Sequence, residues 1–252
     1  MKKSLYLLNI GNYAPELTAL TYPWIHRYAE KIGAEVVLMT ERKFPAWDMD
    51  YEKLQIYELA AARGDDWSLY IDSDTLVHPE LPDVTELIPR DTVAHNGADF
   101  AALRWVYDDY FRRDGRHIGS CNWLALASSW CRDLWRPLDD LTFEEAAANI
   151  YPNVHELTTG IITREHLIDD YVLSRNIARF GLKFATINDM CKQIGWNNGF
   201  LHHVYKETLP RKVELAKIAL KAWKLDTLFP EYEFLRQFEV RGEDNAPKLV
   251  SK

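Results

Sequence analysis

The stretch Trp67-Ser68-Leu69-Tyr70-Ile71-Asp72-Ser73-Asp74 decides the fold of this chain. Its first part is a short apolar run of the kind that forms a strand buried on both faces. Two carboxylates one residue apart follow at once, so acid begins where the chain leaves the core. Open α/β sheets bind their ligands at this carboxyl edge of the strands. On a bent strand end, Asp72 and Asp74 can converge on one divalent cation, and hard oxygen ligands suit Mn2+ or Mg2+ bridging a diphosphate. The plainer reading is a turn in which one of the two Asp caps the next element. The apolar strand before the motif, and Thr-Leu-Val-His-Pro-Glu after it, favour the chemical reading.

Upstream, Leu5–Ile10 is another continuous apolar run, ended by Gly11-Asn12. From Glu16 to Ile32, apolar residues recur at helical spacing (Leu17, Leu20, Trp24, Tyr28, Ile32). Pro23 inside this stretch predicts a kink or a split helix, and Gly33 is a C-terminal stop. Val36–Met39 reads as a second strand, which completes a βαβ unit. Tyr51–Arg63, closed by Gly64, is the helix that leads into the motif strand. Downstream, Asn122–Ala127 reads as a strand, Phe143–Ile150 and Leu167–Phe180 as helices, and Lys183–Ile187 as a strand. This alternation predicts an α/β fold: a single nucleotide-binding domain over residues 1–209, its mostly parallel central sheet flanked by helices.

Residues 210–252 read as a C-terminal helical extension with a polar tail. In Arg211–Leu225, Val213, Ala216, Leu220 and Trp223 lie on one side, with Lys217, Lys221 and Lys224 around the other. Such a helix either docks on the domain or makes peripheral contact with an anionic membrane surface.

The chain has 252 residues and a formal charge of −8, which argues against nucleic acid as a partner. Its 9 Trp and 13 Tyr fit core packing first, with some left to face sugars. Cys121, Cys131 and Cys191 lack metal-type spacing and fit free thiols of a reducing compartment. Asn9, Gly11 and Asn12 interrupt the first apolar run too early for a signal peptide. No run reaches the ~20 residues of a membrane span. The expected location is cytoplasmic, peripheral to a membrane at most.

With these residues in place, the chain resembles the nucleotide-diphospho-sugar glycosyltransferases of the GT-A fold. It is most similar to the glycogenin-like and lipooligosaccharide galactosyltransferase-like group (family 8) and to the galactosyl/xylosyltransferases (family 34). The resemblance spans roughly residues 5 to 205 and implies transfer of a sugar, with retention of configuration, from a UDP-sugar to a glycan or glycolipid hydroxyl. Ile10-Gly11-Asn12-Tyr13 is similar to the family's Asp-Asp-Asn-Tyr loop that holds uracil; Asn12 and Tyr13 match, and the acidic pair does not. Lys53 stands where many members carry an Arg directed at the diphosphate or the sugar. Ser73 lies inside the Asp-x-Asp motif. His202 aligns with the family's late metal ligand and His203 is its substitute; neighbours on a strand point to opposite faces, so one of the two is expected to bind. Asp169 and Asp170 sit where the family lines the reaction centre, although acids at a helix start also suit its dipole. Asn122 matches the family's Asn-Ala/Ser-Gly segment, with Leu124 in place of the Gly.

Two rivals stand beside this reading. A haloacid-dehalogenase-type phosphatase also places Asp-x-Asp after an apolar strand, but Leu76 holds the position where a Thr or Val normally follows. A nucleotide-sugar- or glycan-binding module without turnover would keep the pocket and lose the chemistry.

Overall fold

The structure, a computed structural model, describes residues 1–95, 124–150, 163–195, 201–204 and 207–237. The apolar run after Lys2 forms β1 (Lys3–Leu8), every residue of which is buried. Gly11 and Asn12 turn the chain into α1 (Pro15–Ile32), and Gly33 ends that helix in the left-handed conformation, its N–H donating to Ala29 and Glu30 carbonyls. Only glycine adopts this conformation without steric cost. The helix is continuous through Pro23, so the chain is not split there. Trp24 and Ile25 directly after the proline are fully buried, as is Leu17 before it, and this packing on both sides offsets the lost backbone hydrogen bond.

β2 (Ala34–Met39) pairs with β1 in parallel, and β3 (Trp67–Ile71) pairs with its other edge, also in parallel. Between them, the expected helix over Tyr51–Arg63 starts as a 3-10 helix (Met49–Gln55) and becomes α2 at Ile56–Arg63. Tyr51, Glu52, Lys53 and Leu54 are all buried in succession, which a helix with one inward face cannot achieve. Glu52 in particular accepts from Arg42 Nε and from the N–H groups of Lys43 and Phe44.

β4 (Thr75–Val77), β5 (Thr92–His95), β6 (Leu124–Ser128), α3 (Phe143–Ala148), α4 (Ile168–Arg179) and β7 (Lys183–Thr186) follow. α5 (Ile187–Gln193), β8 (Leu201–His203) and α6 (Leu209–Ala222) complete the order used below. The main sheet runs β2-β1-β3-β6-β5-β7, with β6 antiparallel to both neighbours and the other pairings parallel. A two-stranded ribbon joins β4 to β8.

Alternation along the strands splits the core into two layers. Tyr6 and Tyr70 face α2 and α4, where Ile56, Val172 and Ile177 pack. Leu5, Leu7, Leu69 and Ile71 face α1 and α5. A third cluster joins Leu17, Leu20 and Trp24 of α1 to Ala216, Ala219 and Leu220 of α6. The apolar side of the C-terminal helix is therefore turned inward on α1, and Trp223 packs edge-on against His78. Among the described residues, no helix is long and apolar enough to cross a membrane.

Candidate functional site

Because β1 and β3 are parallel neighbours, the loop after Leu8 and the Asp-x-Asp motif after Ile71 emerge side by side. Gly11, Asn12 and Ala14 all have positive φ (67°, 56° and 44°), so this loop is tightly coiled. The conformation suits Gly and is tolerated by Asn, but it strains Ala. Tyr13, between them, is 42% exposed, and Ile10 is half-buried. Ser73 ties the two segments together: its hydroxyl donates to the Leu8 carbonyl at 2.5 Å and lies 3.1 Å from Tyr22 Oη. Thr21 Oγ1 donates to the Ser73 carbonyl at 2.6 Å. The hydroxyl of Ser73 is thus engaged within the fold.

Asp72 and Asp74 flank that tether. The ribbon β4–β8 brings a histidine to them, with Thr75 opposite His203 and Leu76 opposite His202. His203 Nε2 lies 3.4 Å from Asp72 Oδ2 and 3.1 Å from Asp74 Oδ1. One ligand atom from each of Asp72, Asp74 and His203 lies within 4.8 Å of the others, so this group could hold a metal ion. Two carboxylate oxygens and an imidazole nitrogen are a donor set that suits Mn2+ or Mg2+. Burial pushes the Asp72 carboxyl up even with Lys53 and His203 nearby, which is the environment a divalent cation would relieve. Burial also opposes ionisation of Asp74, but the His203 imidazole and the Lys212 ammonium outweigh it and hold that carboxyl at about 2.

His202 turns to the other face of the ribbon. It is 7% exposed, and both of its ring nitrogens are buried with no hydrogen-bond partner among the described residues. Burial first, then the neighbouring His203, hold its pKa down to about 4, so its ring is neutral.

Lys53, from the 3-10 turn before α2, reaches the same edge. Its ammonium lies 2.7 Å from Asp169 Oδ2 and 3.8 Å from Asp72 Oδ1. Asp169 and Asp170 open α4 and are both buried. Burial raises the Asp169 carboxyl to about 6, against the pull of Lys53. The structure therefore joins Asp72, Asp74, His203, Lys53 and Asp169 in one charged network. Tyr13 reaches it through Lys212, while Asn12 is exposed and makes no hydrogen bond to it among the described residues. Asn122 lies outside the described residues.

Several contributors carried no signal in the sequence. Tyr70 donates to Asp72 Oδ1 at 2.5 Å, although its place in an apolar run suggests core packing alone. Lys212 of α6 donates to Asp74 Oδ2 at 2.6 Å across a separation of 138 residues, and nothing local distinguishes it from the other lysines of that helix. Asp48, Asp50 and His166 form a second group whose ligand atoms lie within 4.8 Å of one another. There, His166 Nδ1 sits 2.7 Å from Asp50 Oδ2, and this contact leads in raising the histidine to about 9.

No family model matches the chain, and no curated protein matches it. Among solved structures, the chain is similar to a glycosyltransferase involved in the glycosylation of the major capsid of PBCV-1. That likeness has 11% identity and a TM-score of 0.48, and covers 85% of this chain and 99% of the other.

Proposed function

We propose that this chain is a metal-dependent glycosyltransferase. It moves a sugar from a UDP-linked donor to a hydroxyl of a glycan or glycolipid, with retention of anomeric configuration. The observation that carries this reading is the meeting of Asp72, Asp74 and His203 at the carboxyl end of β3, a fully buried strand parallel to β1. That edge is where α/β sheets take nucleotides.

Asp72, Asp74 and His203 would hold Mn2+ (or Mg2+), and the ion when bound neutralises charge on the leaving diphosphate. Tyr13, 42% exposed, would stack its ring on the base, with Gly11 and Asn12 shaping the loop beside it. Lys53 holds Asp169 and Asp72 in fixed relation, so their charges are set before a donor arrives. Asp169 and Asp170 are assigned to the sugar hydroxyls and to the positive charge that develops on the sugar. Asn122 is assigned to the sugar pocket on resemblance alone.

A thermal-shift screen of nucleotide-sugars with Mn2+ tests the reading, because a ligand that binds only the folded state raises its melting temperature. A UDP-sugar with Mn2+ is expected to raise the melting point, and UDP release is expected to increase when a glycan acceptor is added. A shift without UDP release in any acceptor mixture would leave a binding module. Release of phosphate from simple monoesters would favour the phosphatase.

A further inference from the structure

Asp74 presents its two oxygens to different partners. Oδ1 faces His203 Nε2 at 3.1 Å, while Oδ2 accepts from Lys212 Nζ at 2.6 Å. The same ammonium donates to Tyr13 Oη at 3.1 Å and lies 5.9 Å from the centre of that ring. Lys212 is placed there by packing: α6 is clamped to α1 through Ala216, Ala219 and Leu220, which aims its first turn at the motif. The side chain of Lys212 is only 13% exposed, so water does little to screen it.

Lys53 differs in this respect. Its ammonium is bonded to Asp169 at 2.7 Å and stands back from Asp72 at 3.8 Å, so a carboxylate outside the metal group balances it. The carboxylate that Lys212 bonds is one of the metal group itself. A divalent ion entering between Asp72, Asp74 and His203 meets a like charge already bonded to one of its ligands.

Resting on the donor-site reading above, we infer that Lys212 is a resident counter-ion of this site and competes with the metal for Asp74. The ammonium neutralises Asp74 while the site is empty and opposes the bare ion. When a nucleotide diphosphate brings negative charge in with the metal, the repulsion is relieved, and Tyr13 keeps the displaced ammonium at the rim. Metal and nucleotide therefore bind as one unit, and the C-terminal helix belongs to the donor site. By linkage, whatever Lys212 takes from metal affinity, the metal takes from the hold of Lys212 on Asp74.

The test measures Mn2+ binding directly, from the electron paramagnetic resonance of the free ion, with and without UDP. It uses the full chain and the Lys212→Met and Lys212→Arg variants. Coupling between two sites is typically 5- to 150-fold, so Lys212→Met is expected to bind Mn2+ alone at least about fivefold tighter. Lys212→Arg, which keeps the charge, should bind as the native chain does. UDP should strengthen Mn2+ binding to the native chain and do so less in Lys212→Met. If Lys212→Met lacks a cooperative melting transition, Lys212→Gln is read in the same way. Mn2+ affinity in the charge-free variant no greater than in the native chain overturns the inference and leaves the donor-site reading intact. Tighter Mn2+ binding in Lys212→Met, with no effect of UDP on any of the proteins, upholds the competition and overturns the nucleotide reading instead.

Discussion

The ammonium of Lys53 lies 2.7 Å from Asp169 Oδ2, with both residues almost wholly out of water at 1% and 3% exposure. The contact spans 116 residues of sequence and ties the turn before α2 to the first turn of α4. Lys53 also lies 4.7 Å from the ring centre of Tyr70, whose hydroxyl bonds Asp72. Burial works to discharge this lysine, but the carboxylates of Asp169, Asp72 and Asp50 outweigh it, and its pKa stands above the ordinary lysine value. One cation thus fixes acids from three separate segments.

Removing that cation strands buried negative charge. Lys53→Met should destabilise the fold by about 3–5 kcal/mol, the usual cost of breaking a buried pair from one side. Lys53→Met with Asp169→Leu should recover most of this loss, since an apolar pair of similar volume leaves no stranded ion at that contact. Urea unfolding of the three proteins measures it. Equal losses in the single and double variants would mean that the pair is not the source.

His166 gives the pH dependence. Its hydrogen bond to Asp50 raises it from 6.5 to about 9 in the folded chain. The folded state therefore holds this proton more tightly than the unfolded state does. The resulting stability is complete below about pH 6.5 and is lost as pH rises through about 9. His166→Gln should remove that component, so the melting-temperature gap between native and variant should close across this window. Parallel melting curves from pH 6 to 10 would show that the pair adds nothing in solution, as many exposed ion pairs do.

The C-terminal helix was open to two readings in the sequence, and its packing separates their consequences. Ala216, Ala219 and Leu220 are buried in the face against α1, where they share a cluster with the fully buried Trp24. Cutting the chain after Glu207 should expose that face and give an insoluble or molten product. Soluble, cooperatively melting protein that has lost binding to anionic vesicles would instead restore the membrane-contact reading for residues 211–225.

Most of the sheet was legible because strands buried on both faces leave short, largely apolar runs, as Trp67–Ile71 does. The joint between β1 and the motif was legible for a related reason: Gly11-Asn12 marks the loop in which both take left-handed φ. The continuous helix through Pro23 was not, because the outcome depends on what α1 packs against. Nor was the 3-10 start before α2, where tertiary burial of Glu52 and Lys53 overrides local periodicity. Within the site, the carboxylates announce themselves by spacing. Lys212 and Tyr70 do not, since a lysine on a helix and a tyrosine in a strand carry no local mark of what they will meet.

The two adjacent histidines yield opposite expectations from one fact, the alternation of β8. His203 points to Asp72 and Asp74, so His203→Ala should abolish Mn2+-dependent transfer by at least about 100-fold, or ~3 kcal/mol of transition-state stabilisation. Asp74→Asn should lose as much, and the double variant little more, because both act through the same ion. EDTA should silence the native chain and Mn2+ should restore it. His202 points into the cluster around Leu76 and Val204, with neither ring nitrogen satisfied among the described residues. An unsatisfied buried polar group costs about 1–3 kcal/mol, so His202→Leu should melt no lower than the native chain and bind Mn2+ equally well. Mn2+ binding lost in His202→Leu and kept in His203→Ala would assign the ligand to the other face of the strand. Full transfer in EDTA would remove the metal from the mechanism altogether.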